Sequence, residues 1–156
     1  MQSASEISPA ILAGLGRVVV KWSYLEMMTA DLFTHLSKGD SAAMIVVTSN
    51  VSANSLSGWV RTLLDISQAP AVLLQETRKA LAELDEMRAE RNALVHGNWI
   101  PSGSDAAEVR TARLERSEIL RTELVTVSDL DDAVERIKHI TINLVVVLRK
   151  WGVHGY

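Results

Sequence analysis

Residues 70–99 read PAVLLQETRKALAELDEMRAERNALVHGNW. Pro70 suits the opening of a helix, where a missing N–H leaves no bond unmade. Leu74, Leu81, Leu84, Met87, Leu94 and Val95 then gather on one side of an α-helix, and Gly97 supplies the stop. The spacing predicts a helix from Pro70 to about His96. A long helix with one apolar stripe needs comparable helices to cover it, so the expected fold is all-α, an antiparallel helical bundle.

Those helices are legible on either side. Ser8-Pro9 opens the first, along which Ile11, Leu15, Val18, Trp22, Leu25, Thr29, Leu32 and Leu36 alternate in steps of four and three. Gly39, after Lys38, is expected to cap it, and Asp40 to begin a shorter helix through Ala42 to Thr48. Ser49 to Ser55 reads as a loop and Leu56 to Ile66 as a third helix, ending before Ala69-Pro70. In the last helix Ser128-Asp129-Leu130-Asp131 resembles a capping box. Its stripe is Leu130, Val134, Ile137, Thr141, Leu144, Leu148 and Trp151, stopped by Gly152. Between Asn98 and Val127 the texture changes. Asn98 to Ala107 reads as a loop, while Val109 to Leu114 and Ile119 to Val127 form a candidate β-hairpin insertion at about 108–127.

The chain has 156 residues, 47% apolar and 22% charged, which suits one globular domain over 1–156. It has no cysteine, which excludes disulfides, thiolate metal sites and a cysteine nucleophile. A net charge of −3 argues against a broad basic surface for non-specific nucleic-acid binding, though not against a local basic pocket. Ile140 to Leu148 is too short to span a bilayer, and Met1 to Pro9 lacks the basic start of a signal peptide. A cytoplasmic protein without membrane contact is the expectation. The stripes on the first, fourth and last helices exceed what three helices can cover among themselves. Trp22, Trp59, Trp99 and Trp151 offer large anchors, so a two-fold homodimer is expected, with the end of the fourth helix near its interface.

No phosphate-binding loop, nucleophile elbow or His-Glu-x-x-His zinc helix occurs. Gly14-Leu15-Gly16 lies inside a helical pattern and reads as a place where another helix approaches. Asp129, Asp131 and Asp132 sit in a first helical turn, where the helix dipole favours negative charge, so they read as a cap rather than a metal set. Glu83, Asp85, Glu86 and Glu90 with Arg78, Lys79 and Arg88 read as a solvated helix face. His35, His139 and His154 each stand alone. No metal site and no cofactor is expected.

His96 has company. Arg91 falls on the apolar stripe seven residues after Leu84, where an unpaired guanidinium would be costly, and Glu26 on the first helix is expected to pair with Arg91 or Arg88. Asn92 and His96, four apart, share a helix edge and can hydrogen-bond. Arg for phosphate oxygens, His for proton transfer and Asn for orientation suit polyanion chemistry. On the residues alone the structural reading carries more weight: an imidazolium complements the dipole at a helix C-terminus, and Arg91 forms an ion pair.

Arg91-Asn92 followed by His96 resembles the signature of the HEPN superfamily, an Arg followed by a polar residue with His four to six positions beyond. Gly97-Asn98-Trp99 and Trp22-Ser23-Tyr24-Leu25-Glu26 are similar to stretches of many small HEPN-like proteins. The resemblance spans about residues 9–151 in architecture and about ten residues in motif. It implies metal-independent cleavage of RNA at a composite cleft where two motifs meet across a dimer. Arg91, Asn92 and His96 would be catalytic there, with Glu26 and Arg88 in support. His96 would deprotonate the ribose 2′-hydroxyl or protonate the leaving oxygen, and Arg91 would stabilise the charged phosphorane. Many members are toxins paired with a nucleotidyltransferase-like antitoxin, and others act in defence. Two other readings stay open: a non-catalytic helical module that binds a nucleotide or protein partner, and a purely structural dimer.

Overall fold

The computed structural model describes residues 6–113 and 118–156, with side chains over 6–111 and 121–156. The described elements run α1 (Pro9–Ser37), α2 (Ser41–Ser49), α3 (Ala53–Ile66), α4 (Ala71–His96), β1 (Asn98–Pro101), β2 (Ala106–Arg113), β3 (Glu118–Thr126) and α5 (Val127–Trp151). The chain is mostly helical, with a small antiparallel sheet inserted between the fourth and fifth helices, the class its periodicity predicts. Among the described residues no helix is long and apolar enough to cross a membrane.

The chain forms two compact units. In one, residues up to Trp22 join Met87–Ile137. Its buried side chains are Ile11, Val18, Trp22, Met87 and Leu94 from α1 and α4, with Leu130, Ala133, Val134 and Ile137 from α5. The sheet, in order β1-β2-β3, adds Ala107, Val109 and Val125 to that core. The other unit comprises Ser23–Glu86 and Lys138–Tyr156 and buries Leu25, Met28 and Leu32 with Leu56, Val60, Leu64, Leu81, Leu84, Leu144 and Leu148. Ile11, Val18, Trp22, Leu25, Leu32, Leu81, Leu84, Met87, Leu94, Leu130, Val134, Ile137, Leu144 and Leu148 among them are stripe positions, and removal of apolar surface from water drives each unit together.

The expected hairpin is a three-stranded sheet, and the extra strand lies in what reads as a loop. Asn98–Pro101 pairs with β2, Trp99 opposite Val109 and Pro101 opposite Ala107. Asn and Pro are poor strand formers, but Pro101 closes an edge strand, where its missing N–H does little harm. β2 pairs antiparallel with β3, with a register shift between Thr111 and Ala112. The expected strand end at Leu114 lies outside the described residues.

Three helix ends differ from expectation. Lys38, not Gly39, takes the left-handed conformation after α1, at φ 52°. Gly39 lies against the Met44 side chain instead, where a Cβ would stand 2.7 Å from Met44 Cγ and that flexible side chain would have to shift. Helix α3 begins at Ala53, because the Ser52 hydroxyl accepts from Ser55 N–H at 3.1 Å and caps it. Helix α5 begins at Val127, and its capping box is Thr126 with Asp129 rather than Ser128 with Asp131. Asp129 Oδ2 accepts from the Thr126 backbone N–H at 2.8 Å, and Thr126 Oγ1 accepts from Asp129 N–H at 3.2 Å.

Of the two small residues expected to admit a helix, Gly14 does so: a Cβ would meet Leu130 Cδ1 of α5 at 2.7 Å. Gly16 faces open space. The charged residues of α4 are not a merely solvated face. Asp85 accepts from Arg61 at 2.6 Å and from Ser57 at 3.1 Å, Glu83 accepts from Asn143 at 2.9 Å, and Arg78 reaches Asp65 at 2.8 Å.

Candidate functional site

The end of α4 carries the residues of interest. Leu94 anchors the last turns in the core. The helix then stops because the chain passes directly against the sheet. A Cβ on Gly97 would lie 2.4 Å from Val109 Cγ1 and 2.5 Å from the Ala93 carbonyl oxygen, so only glycine fits. Two residues on, the Trp99 indole donates to the Leu94 carbonyl at 2.7 Å and satisfies one of the carbonyls that the helix end leaves open. Trp99 is therefore a local cap. Its role is invisible in a spacing pattern, although an indole shortly after a glycine stop is a usable signal.

Arg91 sits where the stripe puts it, half-buried, with its guanidinium carbon 5.8 Å from the ring centre of the fully buried Trp22. Its Nη1 donates to Asn92 Oδ1 at 3.1 Å. Its Nε is buried and has no hydrogen-bond partner. The adjacent carboxylate, Glu90, is taken by Arg136. Among the described residues of its own unit no carboxylate engages Arg91, whose guanidinium is stacked on Trp22 and under-satisfied. Glu26 and Arg88 are both half-buried, on α1 and α4.

The expected Asn92–His96 hydrogen bond is also not formed. Asn92 is exposed and its carbonyl oxygen serves Arg91. His96 is exposed in the final turn of α4, and its ring makes no hydrogen bond to the described residues. The site thus consists of a cation held on an aromatic face, an amide attached to it, and an accessible imidazole at a helix end.

The tryptophans expected as dimer anchors are largely occupied within the chain. Trp22 is buried, Trp99 caps α4, and Trp151 donates to Thr77 Oγ1 at 3.0 Å. Trp59 remains 41% exposed, packed against Phe33.

The acidic start of α5 is spent on structure. Asp129 serves the cap, and the Thr126 hydroxyl and backbone N–H hold its carboxyl below the usual carboxylate range. Asp131 pairs with Arg17 at 2.6 Å. Among the described residues no three His, Asp or Glu side chains gather as metal ligands.

One polar cleft joins residues that are far apart in sequence. About 470 Å³ in volume, it is lined by Asp31, His35 and Lys38 from the end of α1 and by His154 from the segment after α5. Tyr156 donates its hydroxyl to Asp31, and burial together with that carboxylate pushes the phenol well above its ordinary range. His35 and His154 stand alone in the sequence, 119 positions apart by subtraction, so no spacing rule could have joined them.

No family model, curated protein or solved structure matches this chain.

Proposed function

We propose that this protein is a HEPN-like endoribonuclease that cleaves RNA without a metal ion, at a composite site built from two copies of the α4 end. The observation that carries this reading is Arg91: a guanidinium over Trp22 whose buried Nε–H has no hydrogen-bond partner among the described residues. Such a group is incomplete without an anion, and a phosphodiester supplies one. The exposed imidazole of His96 is accessible for proton transfer. In the reaction the ribose 2′-oxygen attacks phosphorus and the bond to the 5′-oxygen breaks. His96 accepts the 2′ proton or donates one to the leaving oxygen, giving a 2′,3′-cyclic phosphate and a 5′-hydroxyl. Arg91 stabilises the charged phosphorane, Asn92 holds Arg91 in place, and Glu26 and Arg88 support the motif. A role as a toxin with a nucleotidyltransferase-like antitoxin, or in defence, belongs to the same proposal.

The experiment is cleavage of mixed RNA by wild type, His96→Ala and Arg91→Ala, with and without EDTA, followed by end-group analysis. Removing His96 is expected to lower cleavage by about 100-fold or more while the fold survives, as is usual for a general acid or base. Arg91→Ala is expected to abolish it, and EDTA to leave it unchanged. Equal cleavage by all three proteins would refute the proposal. The second reading, a non-catalytic module binding a nucleotide or a protein, is favoured by one observation: His96 has no orienting hydrogen bond among the described residues. Binding of nucleotide without cleavage, lost in Arg91→Ala, would select it.

A further inference from the structure

Two turns build the polar cleft at the end of α1. Lys38 leaves that helix in the left-handed conformation, and after Gly39 and Asp40 the chain enters α2 at Ser41. After α5, Gly152 takes φ 78°. Its N–H bonds the Arg149 carbonyl and the Val153 N–H bonds the Leu148 carbonyl, both at 3.0 Å. Tyr156 then ties the tail to α1 by donating to Asp31. His154 is thereby brought to the cleft that His35, Lys38 and Ser41 also line.

The polar groups here are unevenly spent. Asp31 is engaged by Tyr156, and Asp40, the N-cap of α2, accepts from the Ala43 N–H at 3.1 Å. Thr34 donates to the Ala30 carbonyl at 2.9 Å. Lys38, by contrast, forms no ion pair among the described residues, and neither imidazole hydrogen-bonds to them. His35 packs edge-on against Trp151. Ser41 brings a hydroxyl and, as the first residue of α2, a backbone N–H that no intrahelical bond uses. The carboxylates are occupied while the donors are open, so the cleft is short of an acceptor.

We propose that this cleft binds a tetrahedral dianion, the phosphate group of a small phosphomonoester. Lys38 supplies a positive charge, His35 and His154 supply two ring donors once protonated, and Ser41 adds its hydroxyl. A phosphate has oxygens enough for all four, whereas a carboxylate has two. At about 470 Å³ the cleft exceeds what one phosphate fills and leaves room for the small molecule that carries it. A metal ion suits these residues less, since among the described residues no three His, Asp or Glu side chains gather as ligands. The other titratable groups around the imidazoles are Asp31, Lys38, Asp40 and Tyr156, and the raised phenol of Tyr156 keeps its proton. Asp31 offsets the charge of Lys38, so net positive charge has to come from the imidazoles, and binding of the dianion takes up protons.

This site stands independently of RNA cleavage at the α4 end. Its test is NMR of the full chain, following imidazole and amide signals as inorganic phosphate, glycerol 3-phosphate or sulfate is added. Saturable shifts at His35, His154 and Ser41 are expected. Tighter binding of glycerol 3-phosphate than of inorganic phosphate assigns the cleft to a phosphorylated molecule, and equal binding assigns it to free phosphate. Lys38→Met and His154→Gln are each expected to weaken binding by about tenfold or more, the usual cost of a lost charge-assisted hydrogen bond. Lys79→Met removes the same charge from an exposed position on α4 and is expected to change nothing. Sulfate keeps both charges near neutrality, so its affinity is expected to rise from about pH 8 to about pH 6 as imidazoles protonate. Shifts that do not saturate, or that centre on Arg91 and His96 instead, would overturn the proposal. So would binding that Lys38→Met leaves intact, a loss in Lys79→Met equal to that in Lys38→Met, or sulfate affinity that is the same at both pH values.

Discussion

Two helix ends in the same compact unit collect polar residues, and they handle them differently. At the start of α5, Thr126, Asp129 and Asp131 are all engaged, in a reciprocal cap and an ion pair with Arg17. At the end of α4, Glu90 is taken by Arg136, but Arg91 keeps a buried donor without a partner and His96 is left open. A cluster whose groups satisfy one another is stabilising and chemically quiet. A cluster with an unmatched donor lowers stability and is open to a ligand, and such deficits mark functional sites more often than complete networks do.

The largest expected effect on folding falls on the backbone that positions the open end. Gly97→Ala drives a methyl group into Val109 and the Ala93 carbonyl, and the last turn of α4 and strand β2 must separate. A loss of about 1–3 kcal/mol in urea unfolding is expected, typical of overpacking. A neutral result would mean that the α4 end is already loose and that the contrast between the two ends is one of order rather than pairing.

The quiet end is expected to respond less. Thr126→Ala removes one half of the capping box and is expected to lower stability by about 1 kcal/mol. It also gives the start of α5 a pH signature. The folded-state carboxyl of Asp129 binds its proton less tightly than the unfolded chain does, so its contribution is complete above the unfolded-state value. That contribution fades as pH falls through the lower folded-state value. Wild type is therefore expected to lose its advantage over Asp129→Asn on acidification, and a difference that stays constant down to strongly acidic pH would argue against the cap.

The smallest effect is the most informative. Arg91→Met keeps an apolar side chain over Trp22 and removes the unpartnered Nε–H, so stability is expected to hold within about 0.5 kcal/mol or rise. Thermal melts check this. A loss as large as that of Thr126→Ala would show that the guanidinium is structurally engaged after all, and the two helix ends would cease to differ.

Periodicity located four of the five helices to within a residue or two at most ends, because burial of a stripe writes itself into spacing at 3.6 residues per turn. It misjudged α3, whose first turn, Ala53 to Ser55, is small and polar. It missed β1, because a four-residue edge strand is held by its pairing with β2 rather than by its own composition. The site was legible as a motif and not as a network. Arg91, Asn92 and His96 are named by spacing alone, yet the spacing that allows an Asn92–His96 bond did not show that Asn92 serves Arg91 instead.

The chain by itself determined the class of fold, the stops at Gly97 and Gly152, and the choice of Arg91 as a polar group on an apolar stripe. Each of these follows from interactions within a few turns of one helix, where position in sequence is position in space. Only the tertiary structure decided that Trp22 lies beneath Arg91, that Glu90 is consumed by Arg136, and that His35 and His154 share a cleft. Those outcomes rest on which element comes to lie beside which. Pairing across such distances is set by the packing of whole helices, and no local rule encodes it.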